Sequence, residues 1–264
     1  MYPINNDNIL DVAVEAAIAA SNIVMDALDR PRAAHHKNTI TNLITETDQD
    51  SEKLIKNIIR ASYPDHGVLA EESGGDASNS EYLWVIDPLD GTTNFVHGYP
   101  SFAISIALHY QHQPQVAVIL EMPHKKLYSA IANKGAWCEG NSIACSTTPT
   151  LQESLLLTGF GYDHGEKWER NMRLFKEFTN KTQGVRRLGA AAVDLCHVAS
   201  GKVDGFWEFD LQPWDTAAGI LIAKEAGCLI SKIDGSEYSI YNDNILVTNP
   251  LIHEDMISVI NTIT

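Results

Sequence analysis

WVIDPLDGTTNF, residues 84–95, joins an apolar strand to the start of a helix through two aspartates. Trp84, Val85 and Ile86 deliver Asp87 to a strand end, where Pro88 has no N–H with which to extend a sheet. Asp90 follows in a turn, so the two carboxylates converge with no regular element between them. Gly91 relaxes the backbone, and Thr92 and Thr93 open a helix whose unpaired N–H groups make a ready anion site. Hard carboxylate oxygens beside such N–H groups are what a magnesium-bridged phosphoryl site requires. An Asp-Gly turn with a threonine cap is common by itself; the whole string is not.

Working outward, three more segments supply acids. Glu71-Glu72-Ser73 closes a strand before the loop 74–80, and its plainer reading is a surface acidic pair. Asp215, in PWDTAAG at 213–219, reads as a helix N-cap, and a rigidly held capping aspartate is also a good ligand. Thr45-Glu46-Thr47-Asp48 likewise reads as a helix start. The spacing predicts a helix over 48–62 with Thr47 as cap, Asp50 as box partner, and Leu54, Ile55, Ile58 and Ile59 facing inward. Extended runs at 68–71, 82–86, 102–109, 115–121 and 126–132 predict a largely antiparallel sheet. From Ser154 the pattern changes to strand–helix alternation. Strands are expected at 155–158, 203–206, 229–232 and 245–248, and helices at 166–179, 190–200, 216–226 and 250–262. The class is α+β: one domain over 1–264, with an α+β half at about 1–148 and an α/β half at about 149–264. The halves belong together, because the candidate residues come from both.

Composition narrows the function classes. The 264 residues are 44% hydrophobic, enough for a sizeable core. The formal charge of −15, from 34 acidic and 19 basic residues, argues against a broad nucleic-acid surface and fits a solvated acidic surface that also recruits cations. Cys138, Cys145, Cys196 and Cys228 show neither CxxC pairing nor zinc spacing, so reduced, mostly buried thiols and a cytoplasmic location are expected. His35-His36 and the other histidines lack HExxH or comparable spacing. The apolar stretch 9–25 carries Asp11 and Glu15, has no basic leader, and repeats Ile9, Ala13, Ala16, Ala20, Ile23 and Ala27 at helical spacing. It reads as an amphipathic core helix, and no membrane span is expected.

Together these segments resemble the inositol monophosphatase family, within the lithium-sensitive, magnesium-dependent phosphatase superfamily. The resemblance runs from Lys37 to the C-terminal helix and rests on WVIDPLDGTTNF at 84–95, WDTAAGILIAKEAG at 214–227, and AEES at 70–73. Ala70 stands where the family commonly has glycine. The resemblance implies a layered αβαβα sandwich, usually a homodimer. It implies a first Mg2+ on Glu71, Asp87 and the Leu89 carbonyl, a second on Asp87, Asp90 and Asp215, and a weaker third touching Glu71. Gly91 and Thr92 would bind phosphate oxygens. Thr92 and Asp48 would orient and deprotonate the attacking water, so that Asp48, Thr92 and Glu71 form the catalytic set. Glu208 and Asp215 would face the hydroxyls of a small phosphorylated polyol, and Lys37 matches a loop lysine near the site. No cysteine lies in a phosphate-loop pattern, so direct attack by water is the expected route.

Inositol monophosphate leads as substrate. Relatives of the same fold act on histidinol phosphate, fructose 1,6-bisphosphate or 3′-phosphoadenosine phosphates, and Thr93-Asn94-Phe95 resembles the inositol form. The rival of another class is a regulatory binding protein built on this fold, for which Arg186-Arg187 could serve; an internal or interface salt bridge is the plainer fate of that pair.

Overall fold

Alternation along a central strand decides the architecture. Phe102, Ile104, Ile106 and Leu108 point to one face and Ala103, Ser105 and Ala107 to the other, and every one of them is buried. A strand buried on both faces needs cover on each side. The computed structural model describes residues 6–28, 34–36, 43–76 and 80–263. Helix α1 (Asn6–Leu28) is followed by a short ribbon of β1 (Ala34–His36) and β2 (Leu43–Thr45), then α2 (Glu46–Ser62). Next come β3 (Gly67–Ala70), β4 (Gly74–Asp76), β5 (Tyr82–Asp90) and the short α3 (Thr92–His97). Strands β6 (Phe102–Tyr110), β7 (Gln113–Met122), β8 (Lys126–Ile131), β9 (Gly135–Cys138) and β10 (Asn141–Ser142) complete an eight-stranded sheet of order β10-β9-β8-β7-β6-β5-β3-β4. It is antiparallel except where β3 runs parallel to β5.

The remaining elements are β11 (Leu155–Thr158), α4 (Glu166–Lys181), β12 (Gly184–Arg186), α5 (Ala191–Ala199) and β13 (Gly205–Phe209). After them come α6 (Pro213–Glu225), β14 (Leu229–Ser231), β15 (Asn244–Thr248) and α7 (His253–Asn261). Their five strands form a mixed sheet of order β12-β11-β13-β15-β14. Helices α1 and α2 cover one face of the large sheet, α5 and α6 fill the space between the sheets, and α4 and α7 close the far side. This is the expected αβαβα order.

Small residues set the spacing of the layers. Ala13, Ala16, Ala17 and Ala20 let α1 lie close on β6 and β7, and its buried stripe ends on Val24 rather than Ile23. By length and composition α1 could also cross a membrane; here its alanine face packs into the core. Between the sheets, a Cβ on Gly219 of α6 would stand 2.3 Å from Leu195 Cδ1 and 2.7 Å from Leu195 Cβ of α5. Alanine gains about 1 kcal/mol of helix propensity over glycine, but overpacking costs about 1–3 kcal/mol. The Leu195 Cβ sits directly on the α5 backbone and cannot swing away, so the clash wins. Gly219→Ala is therefore expected to lower Tm by a few degrees. A higher Tm in thermal unfolding would show that the helices separate without cost.

Three local readings are corrected. The α2 cap is Thr45 with Asp48 as its box partner, two residues before the Thr47–Asp50 frame. Helix α6 starts at Pro213 behind Gln212, so Asp215 is its third residue and not its cap. Pro at that first position costs no hydrogen bond and presets the helical φ. Strand β5 does not stop at Asp87: its register shifts between Asp87 and Asp90, and Asp90 pairs again with Ala103. Pro88 lacks the N–H the ladder needs, and a bulge absorbs it.

Candidate active site

The β5 bulge and the turn after it gather the acids. Asp87 is buried at the bulge, with one oxygen accepting the Leu89 N–H at 3.0 Å. Burial, and then the charges of Glu71, Asp90 and Asp215, push its carboxyl well above the usual range. Asp90 is also buried and accepts the Ala192 N–H at 2.8 Å; Ala191 and Val193 donate to it as well. The first amides of α5 thus hold an aspartate from the other half, as a helix N-terminus favours. Burial still outweighs them and raises the Asp90 carboxyl to about 7. Gly91 turns the chain at φ +84°, a left-handed conformation that places Thr92 at the head of α3. The position of a Gly91 Cβ would lie 3.0 Å from the Ser101 carbonyl, so the turn admits only glycine without a shift.

Helix α2 braces this turn from below. Ser51 Oγ donates to the Pro88 carbonyl at 2.9 Å, and the Glu52 carboxylate accepts the Glu72 N–H at 2.8 Å. Asp48 is fully buried, its Oδ2 capping the Thr45 N–H and its Oδ1 accepting Thr92 Oγ1 at 2.9 Å. The same Thr92 hydroxyl lies 3.1 Å from the Leu89 carbonyl. Desolvation raises the Asp48 carboxyl above its ordinary value. Glu71, half-buried, follows β3 and is held through its N–H to the Ile86 carbonyl at 3.2 Å.

The other half contributes Asp215 and Glu208. Asp215 Oδ2 accepts the Gln212 N–H at 2.6 Å across the first turn of α6. Glu208 lies inside β13, opposite Ile245, and is buried, so it is no solvated strand-end acid. Burial, then Asp215 and Asp90, raise its carboxyl well above the usual range, while Arg187 opposes them. A Cβ on Gly159 would fall 2.2 Å from both Glu208 oxygens; the carboxylate occupies the room that glycine leaves. Arg187 lies over the Phe160 ring, 5.8 Å from its centroid, and faces Glu208 and Asp194. Lys37 falls outside the described residues.

Two residues have structural roles that the sequence does not announce. Asn94 donates to the Ser101 and Leu188 carbonyls, each at 2.7 Å, and so fastens the loop before α5 to the start of α3. Tyr162 is 50% exposed, yet its hydroxyl is raised to about 12 by burial and by Asp215, Glu71, Asp90 and Glu208. Its hydroxyl thus feels the charge of acids from both halves of the site. Only the fold brings it there, and no local pattern announces it.

Glu71, Asp87, Asp90, Asp215 and the Leu89 carbonyl are hard oxygen donors, the set that suits Mg2+ or Ca2+. The acids sense one another's charge, but among the described residues no three Asp, Glu, His or Cys side chains stand together as a finished ion cage. Asp87 feels the repulsion of Glu71, Asp90 and Asp215, and Asp87 and Asp90 each turn an oxygen to a backbone N–H group. A divalent cation would offset that repulsion, and the donor chemistry fits one.

A layered sandwich with acids from both halves around a helix start has the donor set of a metal-dependent phosphoryl site. The chain belongs to the inositol monophosphatase family, whose family model matches residues 5–264. It is 45% identical to the chloroplastic phosphatase IMPL1 of Arabidopsis thaliana, over 95% of this chain and 69% of that protein. It is 37% identical to the Nus factor SuhB of Pseudomonas aeruginosa, over 91% of each. The solved structure of inositol monophosphatase from Anabaena (Nostoc) sp. PCC 7120 superposes with a TM-score of 0.90 at 41% identity, covering 99% of this chain and 98% of that one.

Proposed function

We propose that the protein hydrolyses a small polyol phosphate monoester, inositol monophosphate first among them, in a Mg2+-dependent reaction with direct attack by water. The observation that carries this reading is the Asp48–Thr92 hydrogen bond set beside the buried carboxyls of Asp87 and Asp90. Glu71, Asp87 and the Leu89 carbonyl would hold one ion, Asp87, Asp90 and Asp215 a second, and Glu71 a weaker third. Such ions, when bound, supply charge against the phosphate and the leaving oxygen and acidify water. The protein's own part is placement. Gly91 and Thr92 offer backbone N–H groups to phosphate oxygens. Asp48 takes the Thr92 hydroxyl proton as an acceptor, which leaves the Thr92 oxygen to receive a proton from the attacking water. Glu208 accepts from substrate hydroxyls. The chain is expected to act in the cytoplasm as a homodimer.

Phosphate release tests the reading directly. With Mg2+, inositol 1-phosphate should be hydrolysed faster than histidinol phosphate, fructose 1,6-bisphosphate or 3′-phosphoadenosine phosphate, and EDTA should abolish the activity. Full activity in EDTA would overturn it. Faster turnover of histidinol phosphate would replace the substrate and keep the phosphatase. Kinship with SuhB favours a regulatory second role. A pull-down with wild-type and Asp90→Asn protein separates the two, since docking on a partner does not need the acid.

Glu208 tests substrate choice. Glutamine keeps its shape beside Gly159 but puts an NH2 where an oxygen accepts. Glu208→Gln should lower kcat/KM for inositol 1-phosphate about tenfold, and for β-glycerophosphate, with fewer hydroxyls to hold, about threefold or less. Equal losses would make Glu208 a support of the site that does not read the polyol.

A further inference from the structure

Away from the acids, two thiols meet where the linker between the sheets passes the end of α6. The Cys145 N–H donates to the Ala226 carbonyl at 2.9 Å, so the segment after β10 runs alongside the turn that leaves α6. Gly227 makes that turn at φ +90°, and the position of a Cβ there is 3.7 Å from Cys145 Sγ. Cys228 comes next, and the two thiols act on one another, Cys228 lowering that of Cys145 and Cys145 raising that of Cys228. Neither cysteine is in a disulfide. Cys145 is half-buried, which leaves its sulfur within reach of a small oxidant. Cys228 is buried beneath it and lines a cavity of about 1040 Å³ walled by Ile220, Lys224, Leu229 and Tyr238.

We propose that Cys145 and Cys228 are a redox-active dithiol, oxidised by hydrogen peroxide to a disulfide that ties the inter-sheet linker to the end of α6. The roles follow from position. Cys145 is the more exposed of the two and its neighbour Cys228 lowers its thiol, so Cys145 is the nucleophile. Its thiolate attacks one peroxide oxygen, the O–O bond breaks, and hydroxide leaves, giving a sulfenic acid on Cys145. The Cys228 sulfur then attacks the Cys145 sulfur, the S–O bond breaks, and water departs with the Cys228 proton. Two thiols are oxidised and one peroxide is reduced to two waters. The link closes a long loop that holds β11, β12 and β13, and so restricts the unfolded chain. Helix α6 runs from this pair to Asp215, about 15 Å along its axis, which keeps the sulfurs out of the reaction itself.

Treating the full chain with one equivalent of hydrogen peroxide, alkylating, and mapping peptides by mass spectrometry is the test. Two of the four thiols should be lost to a Cys145–Cys228 peptide that dithiothreitol releases. The oxidised protein should melt about 5 °C higher or more. Cys145→Ser, at the more exposed position, should fold, keep kcat, and form no cross-link or Tm shift. Four alkylated thiols after peroxide, sulfinic acid on Cys145 without a cross-link, or a link through Cys138 or Cys196 would each overturn the assignment.

Discussion

Asp90→Asn should cut kcat by about a thousandfold while the protein stays folded. Asparagine fills the same volume, and its carbonyl can still accept the Ala192 N–H that holds Asp90 at 2.8 Å. What it removes is a negative charge buried between two others. Burial makes that charge costly wherever no cation offsets it. The Asp90 carboxyl is raised from 3.8 to about 7, so it binds its proton more tightly folded than unfolded. Its contribution to stability therefore falls as pH rises from about 4 to 7 and stays unfavourable above that. At pH 8 without metal, Asp90→Asn should melt at the same temperature as the native protein or higher. Mg2+ should raise Tm of the native protein strongly and of the variant little. A variant that keeps more than a tenth of the native kcat, or gains as much Tm from Mg2+, would remove Asp90 from the ligand set.

The second large effect concerns the attacking water. Thr92→Ala and Asp48→Asn should each lower kcat about a hundredfold, and the double variant should be no more than a few-fold worse than either. Thr92 Oγ1 stands 2.9 Å from Asp48 Oδ1, and the pair has no value to the reaction once either member is lost. In Asp48→Asn the oxygen is retained by the Thr45 N–H at the cap, leaving an NH2 toward Thr92. The threonine hydroxyl then has a donor before it in place of an acceptor, and cannot pass its proton on. Stability should fall by about 1 kcal/mol, the scale of a weakened cap, so kcat can be measured on folded protein. Losses that multiply in the double variant would reduce Asp48 to a helix-start residue.

How far the sequence announced this site depends on the range of the interactions. Strand β11 coincides with its predicted span, and α1, α4 and the β6–β7 pair are close to theirs, because hydrophobic periodicity is local. The α2 cap was misplaced because Thr45/Asp48 and Thr47/Asp50 are equivalent frames in TETDQD. What chooses between them is Thr92, 44 residues away, which needs Asp48 at the first turn. The β5 bulge was hidden for a similar reason. Pro88 forbids a ladder bond, but only β6 alongside can re-pair Asp90. Asn94 was legible as part of a motif and opaque as a structural tie, since its partner Leu188 lies 94 residues on. Gly159 owes its place to the pairing of β11 with β13, which sets it against Glu208, 49 residues on, where no spacing rule reaches.

The bond between Asp90 and Ala192 spans 102 residues, and this has a bearing on synthesis. A growing chain presents the whole WVIDPLDGTTNF segment to the cell long before the amides that fix Asp90 have been made. During that interval the nascent protein has an acidic loop and no assembled catalyst. Prematurely terminated products ending before α5 should thus be inert as hydrolases however well their eight-stranded sheet folds. Split at the linker, the molecule should regain activity only when both fragments are supplied together.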